Sequence, residues 1–195
     1  MFAEALASVT FALVCYQDFK ERMVSDWVWI PAIAAVPVSL WESGGSLWLT
    51  AVKLGIIGVA ALATFLLGIF GQADSISLFF MGIGTSLLSP FPQLLGMSIV
   101  ALLHISYLTI RAGSLRIEKY MSIEEAEKQN VWIPREIEAD GEKIDLSASP
   151  EEAWESLKKY EGKNARVKVS YGVPLAGYMG IGYIASFIVM LLRFV

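Results

Sequence analysis

Apolar stretches fill the first 110 positions with brief polar interruptions, give way to 60 charge-rich residues, and return for the last 25. Six apolar runs stand between charges or turn formers: Phe2–Gln17, Trp27–Trp41, Leu47–Phe70, Ser75–Ser89, Phe91–Ile110 and Val173–Phe194. A helix needs about 20 residues to cross a bilayer, so the first, second and fourth runs are short. In a chain this apolar the pattern still predicts an all-α membrane protein of six transmembrane helices, with a small α+β insertion before the last. Glu42-Ser-Gly-Gly-Ser46 and Ser89-Pro-Phe-Pro92 close two hairpins with residues that cannot continue a helix. Gly71-Gln-Ala-Asp74 and the Asp18–Asp26 segment separate the remaining pairs.

This divides the chain into residues 1–110, a membrane block of five helices; 111–170, the insertion; and 171–195, the last helix. Within the insertion, Ser122-Ile-Glu-Glu125 and Ser149-Pro-Glu-Glu152 have the form of capping boxes, where hydroxyl and carboxylate each satisfy a free N–H. Pro150 suits a first helical position and Gly162 a helix end. Arg135–Ala139 and Glu142–Leu146 flank Asp140-Gly141, a hairpin signal, and Arg166–Tyr171 predicts a third strand.

Composition supports the membrane assignment. Hydrophobic residues make up 55% of the chain and charged ones 17%, whereas soluble domains average about 25% charged. Mean hydropathy is +0.57. Of 34 charged residues, 24 lie between Arg111 and Ser170, leaving ten for the other 135 positions. This distribution excludes disorder and an ordinary soluble globule. A net charge of −4 excludes a polybasic surface for nucleic acid. The single Cys15 excludes an internal disulfide, and no CxxC pair points to zinc. Met1–Tyr16 carries Glu4 where a signal peptide is basic and lacks an A-x-A-like site, so it reads as a retained first span. Lys20, Arg22 and the insertion put thirteen basic residues on one side, against Lys53 and Arg193 on the other. The positive-inside rule then places the insertion in the cytoplasm and both termini outside the cell membrane.

With so few charges in the membrane block, each is informative. Asp18 directly follows the first run, and Asp74 stands between the third and fourth. The predicted topology sets both at the same cytoplasmic depth. Two carboxylates in a partly dry site cannot easily both ionise, so they share a proton and act as one unit. One can take a proton from water while the other protonates a peptide carbonyl, which is aspartic peptidase chemistry. There is no HExxH, no GxSxG and no His/Cys ligand set, so the chain predicts neither metal nor cofactor. The plainer readings are a solvated charge at a span end for Asp18 and a helix N-cap for Asp74.

The segment Asp18-x-Lys20-x-Arg22-x-Val24-x-x-Trp27 resembles the first aspartate motif of type IV prepilin peptidases and archaeal preflagellin peptidases. Gly71-x-x-Asp74 is similar to their GxGD motif, with Ala73 at the third position, as the archaeal branch tolerates. The resemblance runs over essentially the whole chain, including the hydrophilic insertion before the last span. It implies an endopeptidase with Asp18 and Asp74 as catalytic pair and Lys20, Arg22 and Gly71 supporting it. The implied partners are archaellin- or type IV pilin-like precursors, cut after a short basic leader at the cytoplasmic face, and the lipid bilayer. No methyltransferase activity is implied, because the cysteine-bearing segment of the bilobed bacterial enzymes is absent. The short first, second and fourth runs would suit a locally thinned bilayer at the site. Lys20 and Arg22 serve equally as charge partners for Asp18 or as positive-inside anchors.

Three other functions fit less well. Presenilin-like proteases use a Tyr-Asp pair, whereas Gln17 precedes Asp18, and Val173-Pro-Leu-Ala176 is not their Pro-Ala-Leu order. A proton-coupled transporter using the aspartates as a relay usually places its acids mid-membrane in two similar halves. A non-enzymatic anchoring protein would tolerate Asn at both aspartates. Elsewhere, His104 reads as a buried interhelical imidazole. Gly177, Gly180 and Gly182 read as either packing positions or a flexible gate, packing being the plainer. Ala51/Gly55, Ala60/Thr64/Gly68 and Gly82/Ser86 read as packing faces.

Overall fold

The computed structural model describes residues 1–84, 90–112, 118–128, 132–139, 142–146, 150–160 and 165–193. It divides into two compact units, one of Met1–Phe19, Met23–His104 and Pro174–Val195, the other of Lys20–Arg22 and Ile105–Val173.

The first unit is helical: α1 (Phe2–Glu21), α2 (Ile30–Glu42), α3 (Leu47–Leu66), α4 (Gln72–Phe80), α5 (Pro90–Ala112, which runs on into the second unit) and α8 (Leu175–Leu192). α1 buries Ala3, Ala7, Phe11, Val14 and Asp18, a stripe at helical spacing that ends in a carboxylate. Glu42, at the end of α2, accepts the N–H groups of Phe2 and Ala3 at 2.7 and 3.2 Å, satisfying donors that the first turn of α1 leaves open. Its other contact is the Met1 ammonium, at 2.8 Å. Gly68, at φ +64, ends α3 in the left-handed region, and the Ile69 N–H returns to the Thr64 carbonyl. The core joins Phe11 stacked on Tyr183 at 4.6 Å and Trp29 stacked on Phe80 at 5.8 Å. Lys53, buried in α3, donates to the carbonyl of Gly84.

Six transmembrane helices are not what forms. Among the described residues three helices are long and apolar enough to cross a membrane: Leu47–Leu66, Pro90–Arg111 and Leu175–Leu192. They correspond to the third, fifth and sixth expected spans. The second run opens with a 3₁₀ turn at Asp26–Trp29, and α2 has only 13 residues, about 20 Å of helix. The fourth becomes the nine-residue α4, about 14 Å long, well under the ~30 Å of a bilayer core. Its last expected positions, 85–89, lie outside the described residues. The first reaches 20 residues but carries Glu4 in its first turn and Asp18, Lys20 and Glu21 near its end. Phe80, Met81 and Ile83 are apolar because they are buried in the helical core, not because they meet lipid. The idea of a bilayer thinned around three short spans falls with those spans.

The three long helices expose broad apolar faces, among them Leu62, Phe65 and Leu66 on α3 and Leu95, Leu102 and Leu103 on α5. A water-soluble monomer rarely leaves such a surface uncovered.

α5 and α8 cross at glycine. A Cβ on Gly182 would lie 2.3 Å from the Gln93 carbonyl and 2.7 Å from the Met97 amide, and one on Gly96 would lie 3.2 Å from Gly182 Cα. Both obstacles are backbone, so Gly182→Ala is expected to destabilise the protein by about 2 kcal/mol through overpacking. Thermal unfolding of the purified protein against wild type checks this, and an unchanged midpoint sinks it. Gly55 has open space around its would-be Cβ and is no packing contact, whereas Gly82 meets Ile57 and Leu54 of α3.

The second unit holds a four-stranded antiparallel sheet in the order β1-β4-β2-β3, from β1 (Glu118–Ser122), β2 (Trp132–Ala139), β3 (Glu142–Asp145) and β4 (Ala165–Tyr171). β1, one strand more than the sequence predicts, pairs Met121 with Val167. α6 (Ile123–Lys128) is capped by Ser122, whose Oγ accepts the Glu125 N–H at 3.2 Å. α7 runs Pro150–Lys158. Ile123, Ala126 and Leu157 pack on Met121, Ile137, Val167 and Val169. Pro134, which has no N–H, sits where the β2–β4 register shifts. The expected turn Asp140-Gly141, the cap Ser149 and the helix end Gly162 lie outside the described residues.

Candidate functional site

The two aspartates reach one place, the first turn of α8. Pro174 caps that helix, so the N–H groups of its first residues have no partner within the helix. Asp18 takes one of them: its Oδ2 accepts the Gly177 N–H at 2.7 Å. Asp74 takes another, hydrogen-bonding the Ala176 N–H. Asp18 lies at the C-terminal end of α1, where the helix dipole disfavours an anion, but its side chain reaches the N-terminal end of α8, where the dipole favours one.

Asp74 is the third residue of α4, and Gly71 is its N-cap. The Asp74 carboxylate reaches back to the Gly71 backbone, as an acidic residue at that position does in a capping box. A Cβ on Gly71 would sit 3.3 Å from Asp74 Oδ2, which gives the Gly-x-x-Asp spacing a physical meaning. Asp74 lies outside the three long apolar helices. Burial pushes its pKa up from 3.8 to about 6, and the negative charge of Asp18 pushes the same way against its two backbone hydrogen bonds. Up to about pH 6 Asp74 thus keeps a proton beside the Asp18 side chain, an arrangement suited to acid–base work.

Glycine lets α1 approach this turn. A Cβ on Gly177 would lie 2.7 Å from the Phe19 ring and 3.3 Å from Asp18 Oδ2, and one on Gly180 would lie 2.6 Å from Cys15 Sγ. Gly177, Gly180 and Gly182 are thus positions of close packing. The Cys15 thiol donates to the Gly177 carbonyl at 3.2 Å.

Lys20 and Arg22 belong to the second unit. Lys20 pairs with Glu21 at 3.2 Å. Arg22, at φ +55, donates from Nε to the Gly172 carbonyl at 2.7 Å and from Nη2 to the Tyr171 hydroxyl, with its guanidinium 4.9 Å over that ring. α4 also walls a groove of about 570 Å³, whose sides are Trp29, Ile33, Leu62, Phe65, Ile76 and Phe79 and whose polar groups are Asp26, Gln72 and Ser75. Among the described residues no three His, Cys, Asp or Glu side chains gather as a metal site.

The Ala176 and Gly177 donors are not evident from the sequence. Their signal was Pro174, a helix starter three residues before Gly177. No family model matches the chain, and neither the curated proteins nor the solved structures contain a match to it.

Proposed function

We propose that the protein is a membrane-embedded aspartic endopeptidase of the prepilin and preflagellin peptidase kind. It removes a short basic leader from archaellin- or pilin-like precursors at the cytoplasmic face of the cell membrane, with its charge-rich insertion in the cytoplasm. The observation that carries this reading is the convergence of Asp18 and Asp74 on the first turn of α8. In the proposed reaction Asp18 takes a proton from water as its oxygen attacks the scissile carbonyl, and Asp74 gives its proton to the carbonyl oxygen. The tetrahedral intermediate then collapses: the C–N bond breaks as Asp18 gives its proton to the leaving amine, and a hydroxyl of the intermediate returns a proton to Asp74, leaving the new carboxyl group and the pair as it began. No metal or nucleophilic side chain is needed. The apolar groove beside α4 supports a substrate with a hydrophobic segment.

The test is cleavage. Membranes containing the protein are mixed with a precursor bearing a basic leader before an apolar helix, and a product starting at the leader's end is expected. If the precursor stays intact while vesicles holding the protein take up solute with protons, the aspartates serve a transporter and the peptidase reading is wrong.

A further inference from the structure

We propose that His104 is a positioning residue for the aspartate pair, acting through Tyr178 and Phe19; the kinetic part of this inference rests on the peptidase reading. Each of these aromatic residues is next in sequence to a site group. Phe19 follows Asp18, and Tyr178 follows Gly177, the N–H donor to Asp18. His104 Nδ1 and the Tyr178 hydroxyl share a hydrogen bond of 2.6 Å, joining α5 to α8. The three rings form one cluster: Phe19 lies 5.6 Å from Tyr178 and 6.0 Å from His104, and His104 meets Tyr178 edge-on at 5.7 Å.

The chemistry makes this cluster specific. Tyr178 is fully buried, where a hydroxyl's hydrogen bond counts for most, so the bond to His104 helps to fix where that ring is stable. The ring's backbone is the first turn of α8. Gly177 leaves no slack on the other side, because the edge of the Phe19 ring fills the space its Cβ would take. That bond tethers the ring, so losing it from either end lets the Gly177 N–H shift with Tyr178, and Asp18 is the group that loses. The path from His104 to Asp18 runs through these two rings, the neighbours in sequence of Asp18 and of its N–H donor.

The experiment compares purified wild type with His104→Ala, His104→Gln and Tyr178→Phe. The first readout is steady-state precursor cleavage. His104→Ala is expected to lower kcat by about 10- to 100-fold with KM little changed, the signature of misplaced catalytic groups. His104→Gln keeps a hydrogen-bonding side chain and is expected to recover most of the loss. Tyr178→Phe should match His104→Ala, and the double variant should be no worse than either. The second readout needs no substrate: the infrared C=O band of protonated Asp74, assigned by its absence in Asp74→Asn, is followed with pH. Its titration midpoint should move in His104→Ala and return in His104→Gln. Wild-type kcat and midpoint in His104→Ala overturn the proposal, as do equal losses in His104→Ala and His104→Gln. If His104→Ala does not fold, the near-isosteric Tyr178→Phe decides by the same criteria. If wild type cleaves no precursor, the functional reading fails, while the infrared comparison still decides the positioning role.

Discussion

Replacing either Asp18 or Asp74 by Asn is expected to reduce precursor cleavage by about a thousandfold, the size of effect that positioned general acids and bases supply. Asn keeps the shape of the side chain and an oxygen that can accept the Gly177 or Ala176 N–H, so the first turn of α8 stays capped. What Asn cannot do is carry the proton. The pair works by holding one proton between two groups, so the loss of one member removes the function of the other, and the double variant should be about as impaired as each single one. The measurement is the initial rate of leader removal by purified, folded variants. A folded Asp18→Asn or Asp74→Asn protein that cuts at the wild-type rate would remove the dyad from the mechanism and leave a structural or anchoring role as the better account.

Why those two residues could be picked out from sequence, and the spans could not, has a physical cause. In a chain where ten charges serve 135 residues, an aspartate next to an apolar run must be either exposed or held by donors. That limits what Asp18 and Asp74 can be, even without coordinates. Apolar runs carry no such constraint. Phe80, Met81 and Ile83 look like part of a lipid-facing span, yet they are core residues at and just beyond the end of a nine-residue helix. Hydropathy cannot separate burial in protein from burial in lipid when a run is short. The Ala176 and Gly177 donors were illegible for a different reason: every residue except proline has an N–H, and only the start of α8 makes these two available. β1 was missed because Glu118–Ser122 has one buried residue, Met121, and so shows little alternation of its own.

The Gly-x-x-Asp spacing combines local and long-range causes. Locally it is a helix start, with Asp74 returning to the Gly71 backbone, and that much any N-terminal cap could do. Asp74 departs from a plain cap because α8 brings a second N–H, from Ala176, and α1 brings a second carboxylate. A solvent-exposed cap would gain stability from its charge. Here burial and Asp18 oppose that charge, so the residue that starts α4 is also under electrostatic strain.

That strain has a measurable sign. In the unfolded chain Asp74 titrates near 3.8, and in the folded protein near 6, so the folded state binds the proton more tightly. Below pH 3.8 both states are protonated and Asp74 contributes no difference. Between 3.8 and 6 the unfolded chain releases its proton while the folded one keeps it, so rising pH favours unfolding. Above 6 the folded protein carries a carboxylate it disfavours, at a cost of at most about 3 kcal/mol. Asp74→Asn removes that cost. The variant should therefore be more stable than wild type at pH 7.5, by up to about 3 kcal/mol, with the advantage fading as pH falls to 4. Thermal unfolding of both proteins across this range checks the expectation. Cleavage by wild type should fall over the same interval, as pH rises through about 6 and the shared proton is lost. A site that gains activity from a residue it would be more stable without is the expected trade of an active centre. If Asp74→Asn has the same advantage at pH 4 as at 7.5, or none at either, Asp74 is an ordinary helix cap and the strained dyad does not exist.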